Sequence, residues 1–569
     1  PGDRPGGGSH FRPNALLLGP GVRDRVASGW ADYTPSHLSD IPALFRSRLL
    51  EIDVALISVS PPDPHGFCSL GIHVDVIPSA IAAAKHVIAE IQPEMPRTHG
   101  QSFVHLSSLH TLVQARQPLL QWHPPPTRDD AQAIARFVAG LIDDGATLHL
   151  TPGRLGTALC QALSGHRHLG IHTESFSDAL LPLLHSGALD GSRKTLLPGK
   201  IVASSCMGSA ELYRTVHDHP AFEFRPTDFV NDPATIARNR GMVSIQSAFQ
   251  IDLTGQAAAE SLSGRILSGF GGQADFFRGA AKSEGGKTIL ALPSTAKNGT
   301  VSRIVPHLEP GTGVVLTRAD IQWVVTEFGV ADLRGRSLRE RAIALIHLAH
   351  PAFREELLQA ARQAHLVHPE QISLPRNLQP YPFRYETTRT FPGGLTLNFR
   401  PIKPTDEKAL QALFYSHSAE TILQRYFIPL QRLPHRQKQQ FVTVNYDRDM
   451  AIVGYPPDQP GRLVCVGRFL AEEDPAWCEV AFTVHDDYQR RGLGTFLLQY
   501  LASIARDRGI TGFTATFLAT NHGMLRTFKK VVPHLKPRLV DGTYTVRFNV
   551  ADVRPLPKTK PRPPPTDPS

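Results

Sequence analysis

The chain has 569 residues, 41% of them hydrophobic and 20% charged, enough to bury the cores of three or four ordinary domains. Its net charge of +9 permits an anionic partner, but no dense Lys/Arg block precedes the tail, so a phosphate-bearing small molecule fits better than a nucleic-acid groove. The five cysteines (Cys68, Cys160, Cys206, Cys465 and Cys478) form no C-x-x-C pair and the 26 histidines no H-E-x-x-H, which argues against a disulfide framework or metal site and for a reducing, cytoplasmic compartment.

Residues 1–13 are rich in Gly and Pro and are expected to be disordered. Segment 54–59 (VALISV) reads as a buried strand and 79–90 (SAIAAAKHVIAE) as a helix. A helix at 131–142 and a strand at 147–150 follow, then strands at 200–204, 288–292 and 313–316. Helices at 338–349 and 353–364 close the region. Strands separated by helical stretches imply a parallel, helix-covered sheet. Residues 366–390 are rich in Pro, His and Tyr, lack periodicity, and are the best linker; a new pattern begins at 395–399. The Pro-rich end, 551–569, cannot form a core. No apolar run reaches the ~18–20 residues of a membrane span, and no leader peptide opens a chain that begins with Pro rather than Met.

The most informative stretch lies near the C-terminus. Segment 479–484 (EVAFTV) alternates as a strand, and 495–508 has helical spacing up to Gly509. Between them stand Gln489, Arg490, Arg491, Gly492, Leu493, Gly494 and Thr495. A Gly-containing turn from a strand into a helix start aims free N–H groups and the positive end of the helix dipole at one point, which suits a phosphate. The segment resembles the Q/R-x-x-G-x-G/A signature of the GNAT acetyltransferases. That resemblance implies a GNAT α/β domain over 391–550, a contact to coenzyme A from Asn521, and Glu479 as the base that deprotonates an amine. The family's frequent general-acid tyrosine falls near Phe528, which cannot donate a proton.

Residues 14–365 resemble the acetyl-CoA hydrolase/transferase family, which includes 4-hydroxybutyrate and acetate CoA-transferases. The matching stretches are 59–71 (VSPPDPHGFCSLG), 90–100 (EIQPEMPRTHG), 172–180 (HTESFSDAL), 291–306 (ALPSTAKNGTVSRIVP) and 324–335 (VVTEFGVADLRG). The resemblance implies two α/β domains of the NagB/RpiA/CoA-transferase type, over 1–165 and 166–365, the first truncated at its start. It places a Gly-rich loop, with Gly269, Gly271, Gly272 and Gln273, beside the reactive centre, where its N–H groups stabilise an oxyanion. Segment 242–256 (MVSIQSAFQIDLTGQ) departs from the family pattern S-A-x-E-x-D-L-x-G-Q, because Gln250 stands where the nucleophilic glutamate is expected. Asp252 and Glu260 are weaker substitutes.

The expected protein is thus an acyl-CoA-dependent acyltransferase. Its GNAT domain acylates an amine, a protein lysine among the candidates, and its first module binds acyl-CoA and exchanges CoA with a carboxylate such as acetate only if Gln250 is tolerated. The alternatives are a working CoA-transferase or acetyl-CoA hydrolase of acetate metabolism, and a CoA-binding regulatory scaffold. Acetyl-CoA and CoA are substrates, no metal or tightly bound cofactor is expected, nucleic acid and membrane are not expected partners, and a homo-oligomer is compatible.

Overall fold

The computed structural model describes residues 11–373 and 381–556. Most of the two stretches expected to be disordered lies outside these residues. The chain forms two compact units, Pro1–Leu366 and Val367–Ser569.

In the first unit, β1 (Val54–Val59), α1 (Ile77–Ala83), β2 (His86–Ile91) and β3 (Thr111–Gln114) build a small parallel sheet in the order β1-β2-β3. The helix expected over 79–90 therefore ends midway. The Ala-rich half is helical, but HVIAEI carries β-branched residues, buries Val87 and Ala89 on one face, and pairs with β1.

A larger sheet follows, built from α2 (Asp129–Ala139), β4 (Thr147–His149), α3 (Arg154–Ala162), β5 (Gly170–Phe176), β6 (Ile201–Cys206), β7 (Phe222–Phe224) and β8 (Met242–Gln246). The short strand β9 (Gln250–Asp252) lies outside this sheet, in a separate three-stranded one; α4 (Gln273–Lys282), β10 (Lys287–Ala291), β11 (Trp323–Thr326) and β12 (Gly329–Asp332) continue the large sheet, and α5 (Leu338–Leu348) and α6 (Arg354–Gln363) close the region. The order is β7-β6-β5-β4-β8-β10-β11-β12, parallel except for the terminal hairpin β11–β12. Neighbouring residues of one strand enter different cores. Met242 packs with Phe276 and Ala280 of α4, while Val243 joins the core containing Ile134 and Val138 of α2. Helices therefore cover both faces, as a parallel sheet with two apolar faces requires.

A division at 165/166 cuts through this sheet, because β4 pairs with β5 and β8. The strand expected at 313–316 is reduced to one bridge, Leu316 to Ala257.

The second unit opens with β13 (Thr387–Thr390) and β14 (Thr396–Pro401), followed by α7 (Glu407–Ser416), α8 (Ala419–Tyr426) and α9 (His435–Val442). Then come β15 (Met450–Tyr455), β16 (Cys465–Ala471), β17 (Trp477–Val484), α10 (Leu493–Asp507), β18 (Gly512–Leu518), α11 (His522–Val531), β19 (Arg538–Val540) and β20 (Thr543–Asn549). The sheet order is β13-β14-β15-β16-β17-β18-β20-β19, and β17–β18 is its single parallel pair. The linker expected at 366–390 thus supplies an edge strand, and Tyr385 is buried, accepting a hydrogen bond from Tyr500 Oη at its carbonyl. The tail expected from 551 starts packed as well: Val553 is buried and Arg554 N donates to Val531 O.

Candidate active sites

In the second unit the parallel pair is incomplete. β17 and β18 are eight and seven residues long, yet they pair only over Trp477–Glu479 and Gly512–Thr514. Beyond Glu479 the strands part and leave a wedge whose edge along 480–483 pairs with no strand on that side among the described residues. Such an edge accepts an extended, amide-bearing chain as a sheet would accept a strand. Glu479 stands exposed where the wedge opens.

The chain then turns through Asp486–Tyr488 into α10. Arg490 and Gly492 both have left-handed backbone (φ +59° and +91°), which Gly492 adopts without strain. Gly492 is the N-cap of α10 and offers no side chain to its amides, so the N–H groups of the first turn face outward with the positive helix end. A Cβ on Gly494 would sit 3.2 Å from the Phe482 ring. Gln489 is engaged within the chain. Its Nε2 donates to Val484 O, Asp486 Oδ1 and Thr421 Oγ1 at 3.1–3.3 Å and so shapes the turn. Arg490 and Arg491 are exposed, and Arg491 leans over the Tyr488 ring at 5.9 Å. Asn521 Oδ1 accepts from Met524 N at 2.9 Å and caps α11. Phe528 is a core ring, 1% exposed and stacked on Phe517 at 5.6 Å.

In the first unit, Gln250 begins β9, 6% exposed, and its Oε1 is buried with no hydrogen-bond donor among the described residues. Asp252 Oδ1 accepts from Thr254 N, Thr254 Oγ1 and Gln256 N, and Oδ2 from Gln256 Nε2, so its carboxylate locks the hairpin instead of facing a ligand. Glu260 accepts from Tyr33 Oη at 2.8 Å. Neither is a free nucleophile.

The Gly-rich loop runs into α4, whose N-cap is Gly272. Side chains are excluded there: a Cβ on Gly272 would lie 2.2 Å from Asn231 Nδ2 and 2.5 Å from Glu174 Oε2, and one on Gly269 would lie 2.8 Å from Leu17. Gly271 is left-handed (φ +56°). Gln273 Nε2 donates to Ser247 O at 3.5 Å, which ties the loop to the segment carrying Gln250, and its Oε1 is a second buried oxygen without a donor among the described residues. Glu174, within the matched HTESFSDAL stretch, is pushed up to about 7, chiefly by burial and then by the charges of Asp75 and Asp275; Asn231 and the Gly272 amide oppose the shift.

A cavity of ≈270 Å³ reaches Ser247, three residues before Gln250, and is lined by Arg128, Arg154, Lys297 and Arg303 with one carboxylate, Asp130. Arg303 Nη1 donates to Ala248 O at 3.2 Å, so one of these cations also holds the loop before β9. These four cations, Glu174, and in the second unit Arg425 and Arg468 were not singled out from the sequence. Arg468 alone left a signal, a charge in the middle of the apolar strand CVGRFLA. The cavity's cations come from segments far apart in the chain.

Among the described residues no three His, Cys, Asp or Glu side chains are grouped to hold a metal, and no helix is long and apolar enough to cross a membrane.

Comparison with known proteins agrees with this layout. Family models for the acetyl-CoA hydrolase/transferase N-terminal and C-terminal domains match residues 7–119 and 208–361, and the acetyltransferase (GNAT) family model matches 416–532. The 4-hydroxybutyrate coenzyme A transferase of Clostridium kluyveri is 48% identical over 349 residues, 61% of this chain and 81% of that protein. The succinyl-CoA:cyclohexane-1-carboxylate CoA transferase of Geobacter metallireducens is 42% identical over 354 residues, 62% of this chain and 81% of that protein. The crystal structure of RipA from Yersinia pestis is 38% identical, covering 63% of this chain and 83% of that one with a TM-score of 0.60. The chain therefore belongs to the acetyl-CoA hydrolase/transferase family, carries a GNAT acetyltransferase domain behind that module, and is an enzyme of the acyl-CoA-dependent transferase class.

Proposed function

We propose that the second unit transfers an acyl group from acyl-CoA to an amine, and that the first unit binds acyl-CoA with its carboxylate exchange curtailed at Gln250. The observation that carries the first half is the wedge between β17 and β18, which opens at Glu479 and faces the uncapped start of α10. The amide-bearing arm of CoA fits the free strand edge, its pyrophosphate fits the amides of 493–495, and the thioester then lies beside Glu479. Glu479 takes a proton from the incoming ammonium. Phe528, buried in the core, cannot supply the departing thiolate's proton, and the amine's own second proton balances the transfer.

For the first unit, a cationic cavity next to Ser247 suits the phosphates or carboxylate of an acyl-CoA reaction. The amide of Gln250 does not form the acyl anhydride and thioester intermediates that a carboxylate would. A second reading gives exchange to Glu174, whose carboxyl stands against Gly272 of the Gly-rich loop. Two assays on the same preparation decide among these: acetyl transfer from acetyl-CoA to amines, and acetate-dependent CoA exchange. Transfer to amines without exchange supports the proposal. Exchange that is lost in Glu174→Gln supports the second reading.

A further inference from the structure

A small cavity in the second unit lies between α7, α8 and the sheet, and it contains two cations that make no direct salt bridge among the described residues. Arg468 on β16 is directly opposite Ala481 on β17, and Leu470 is opposite Glu479. Alternate residues share a face, so Arg468 looks out on the same side of the sheet as Glu479. Arg425, from α8, lines the cavity with Arg468, Tyr426 and Thr483. Arg468 is 6% exposed. It makes no ion pair or hydrogen bond among the described residues, and its guanidinium rests 4.6 Å from the Phe441 ring centroid. Arg425 likewise makes no ion pair or hydrogen bond among the described residues; it rests 5.5 Å from the Tyr426 ring centroid and feels the charge of Glu479 from further off. Burial, with Arg425 adding to it, pulls the Arg468 guanidinium down to about 10. His417, 9% exposed, also borders the cavity, and its Nδ1 is buried without a hydrogen-bond partner among the described residues, 4.0 Å from Asp486 Oδ2.

Two neighbouring guanidiniums under cover cost free energy unless an anion joins them, and their planar forks match a carboxylate. As it stands the cavity has ≈20 Å³, room for about one water. Its cover is light: α8 has no buried residue, and it ends in Phe427 with left-handed backbone. Arg468 and Glu479 are diagonal neighbours across two paired strands, about 7–8 Å apart at the backbone. A molecule with its amine and its anion a few bonds apart spans that distance.

We propose that this cavity is the acceptor subsite and that the acyl acceptor is an amino acid, its carboxylate held by Arg425 and Arg468 and its amine presented to Glu479, in place of a lysine side chain within a protein. The inference rests on the N-acyltransferase reading of this unit. In the reaction the ammonium gives one proton to Glu479, the neutral nitrogen attacks the thioester carbonyl, the C–N bond forms and the C–S bond breaks, and the nitrogen's second proton ends on the CoA thiolate.

The test uses the full chain, acetyl-CoA, and four acceptor sets: free amino acids, their carboxamides, the matching decarboxylated amines, and lysine peptides with blocked ends. The expected result is an amino acid with kcat/KM at least about 100-fold above its carboxamide. Arg468→Gln should raise KM for that amino acid by a similar factor, with Arg468→Lys intermediate and the melting curve retained. If Arg468→Gln fails to fold, inhibition of the wild type answers instead: the amine-free analogue of the acid should compete with the amino acid, and its carboxamide should not. Equal transfer to acids, amides and blocked peptides, or preference for an aminophosphonate, overturns the proposal and leaves the acyltransferase standing. No transfer to any amine while acetyl-CoA binds by calorimetry overturns the acyltransferase reading, and this proposal with it.

Discussion

A glutamine at position 250 keeps the volume of a glutamate and loses its nucleophile. Its Oε1 lies buried without a donor among the described residues, an arrangement that costs about 1–3 kcal/mol and that proteins keep where a ligand completes it. Gln250→Glu in the full chain should raise acetate-dependent CoA exchange by orders of magnitude and yield a glutamyl-CoA adduct detectable as added mass on the peptide carrying position 250. Strong exchange by the unmodified chain, or none from a folded, CoA-binding variant, would sink the assignment. Glu479→Gln should lower amine acylation by roughly 10²–10⁴ with little change in acyl-CoA affinity; an unchanged rate at neutral pH means the amine arrives already deprotonated. Both residues could be singled out from the sequence because each sits at a fixed offset inside a long motif. For Gln489 and Asn521 the sequence displays the position and not the intramolecular bonds the side chain makes. The same motif that marks them as ligand contacts needs their side chains for the turn and the cap, which depend on backbone donors that no sequence pattern displays. The pairing of Arg425 with Arg468 was not legible at all, since it is made by a helix and a strand more than forty residues apart.

At the level of elements, the wedge depends on where pairing stops. β17 and β18 are both good strand sequences, and only the crossover through α10 and the register at Glu479 separate them. Gly494 keeps the start of α10 open to a ligand, because a methyl there already meets Phe482 at 3.2 Å and Thr527 at 3.7 Å, and a branched side chain adds more bulk. Gly494→Ala should therefore weaken amine acylation and Gly494→Val should reduce it at least about 100-fold, or ~2.7 kcal/mol, while leaving any CoA exchange of the first unit in place. Near wild-type acylation by the valine variant would show that the phosphate cradle lies elsewhere. The strand–turn–helix over 479–508 could be read from sequence because period-two and period-3.6 patterns abut there with glycines between them. The helix expected over 79–90 failed for the converse reason. Ala-rich residues run without punctuation into HVIAEI, and the strand is decided by its pairing with β1.

For the first unit as a whole, buried ionisable groups pull stability in opposite directions with pH. His149, His172 and His347 are held down to about 3, mainly by burial. Their unfolded counterparts take up protons below about 6.5, so the contribution of each is complete above that pH and is lost as pH falls toward 3, by ~1.4 kcal/mol per pH unit. Glu174 acts with the reverse sign. Its ordinary value is 4.5 and its folded value about 7, so the folded unit binds a proton that the unfolded chain releases, and stability declines as pH rises from about 4.5 to 7. Above pH 7 the ionised carboxyl stays buried near Asp75 and Asp275 at its full cost. Glu174→Gln keeps the shape and removes the charge, so it should stabilise the unit by about 1–3 kcal/mol at pH 8 and change little at pH 4. It should also steepen the acid limb that the three histidines create. Hydrogen exchange of peptides spanning β4 and β5 reads this unit separately from the other. A variant equally stabilised at both pH values would show that Glu174 has the same proton affinity folded and unfolded, so that burial against the Gly-rich loop does not hold it neutral.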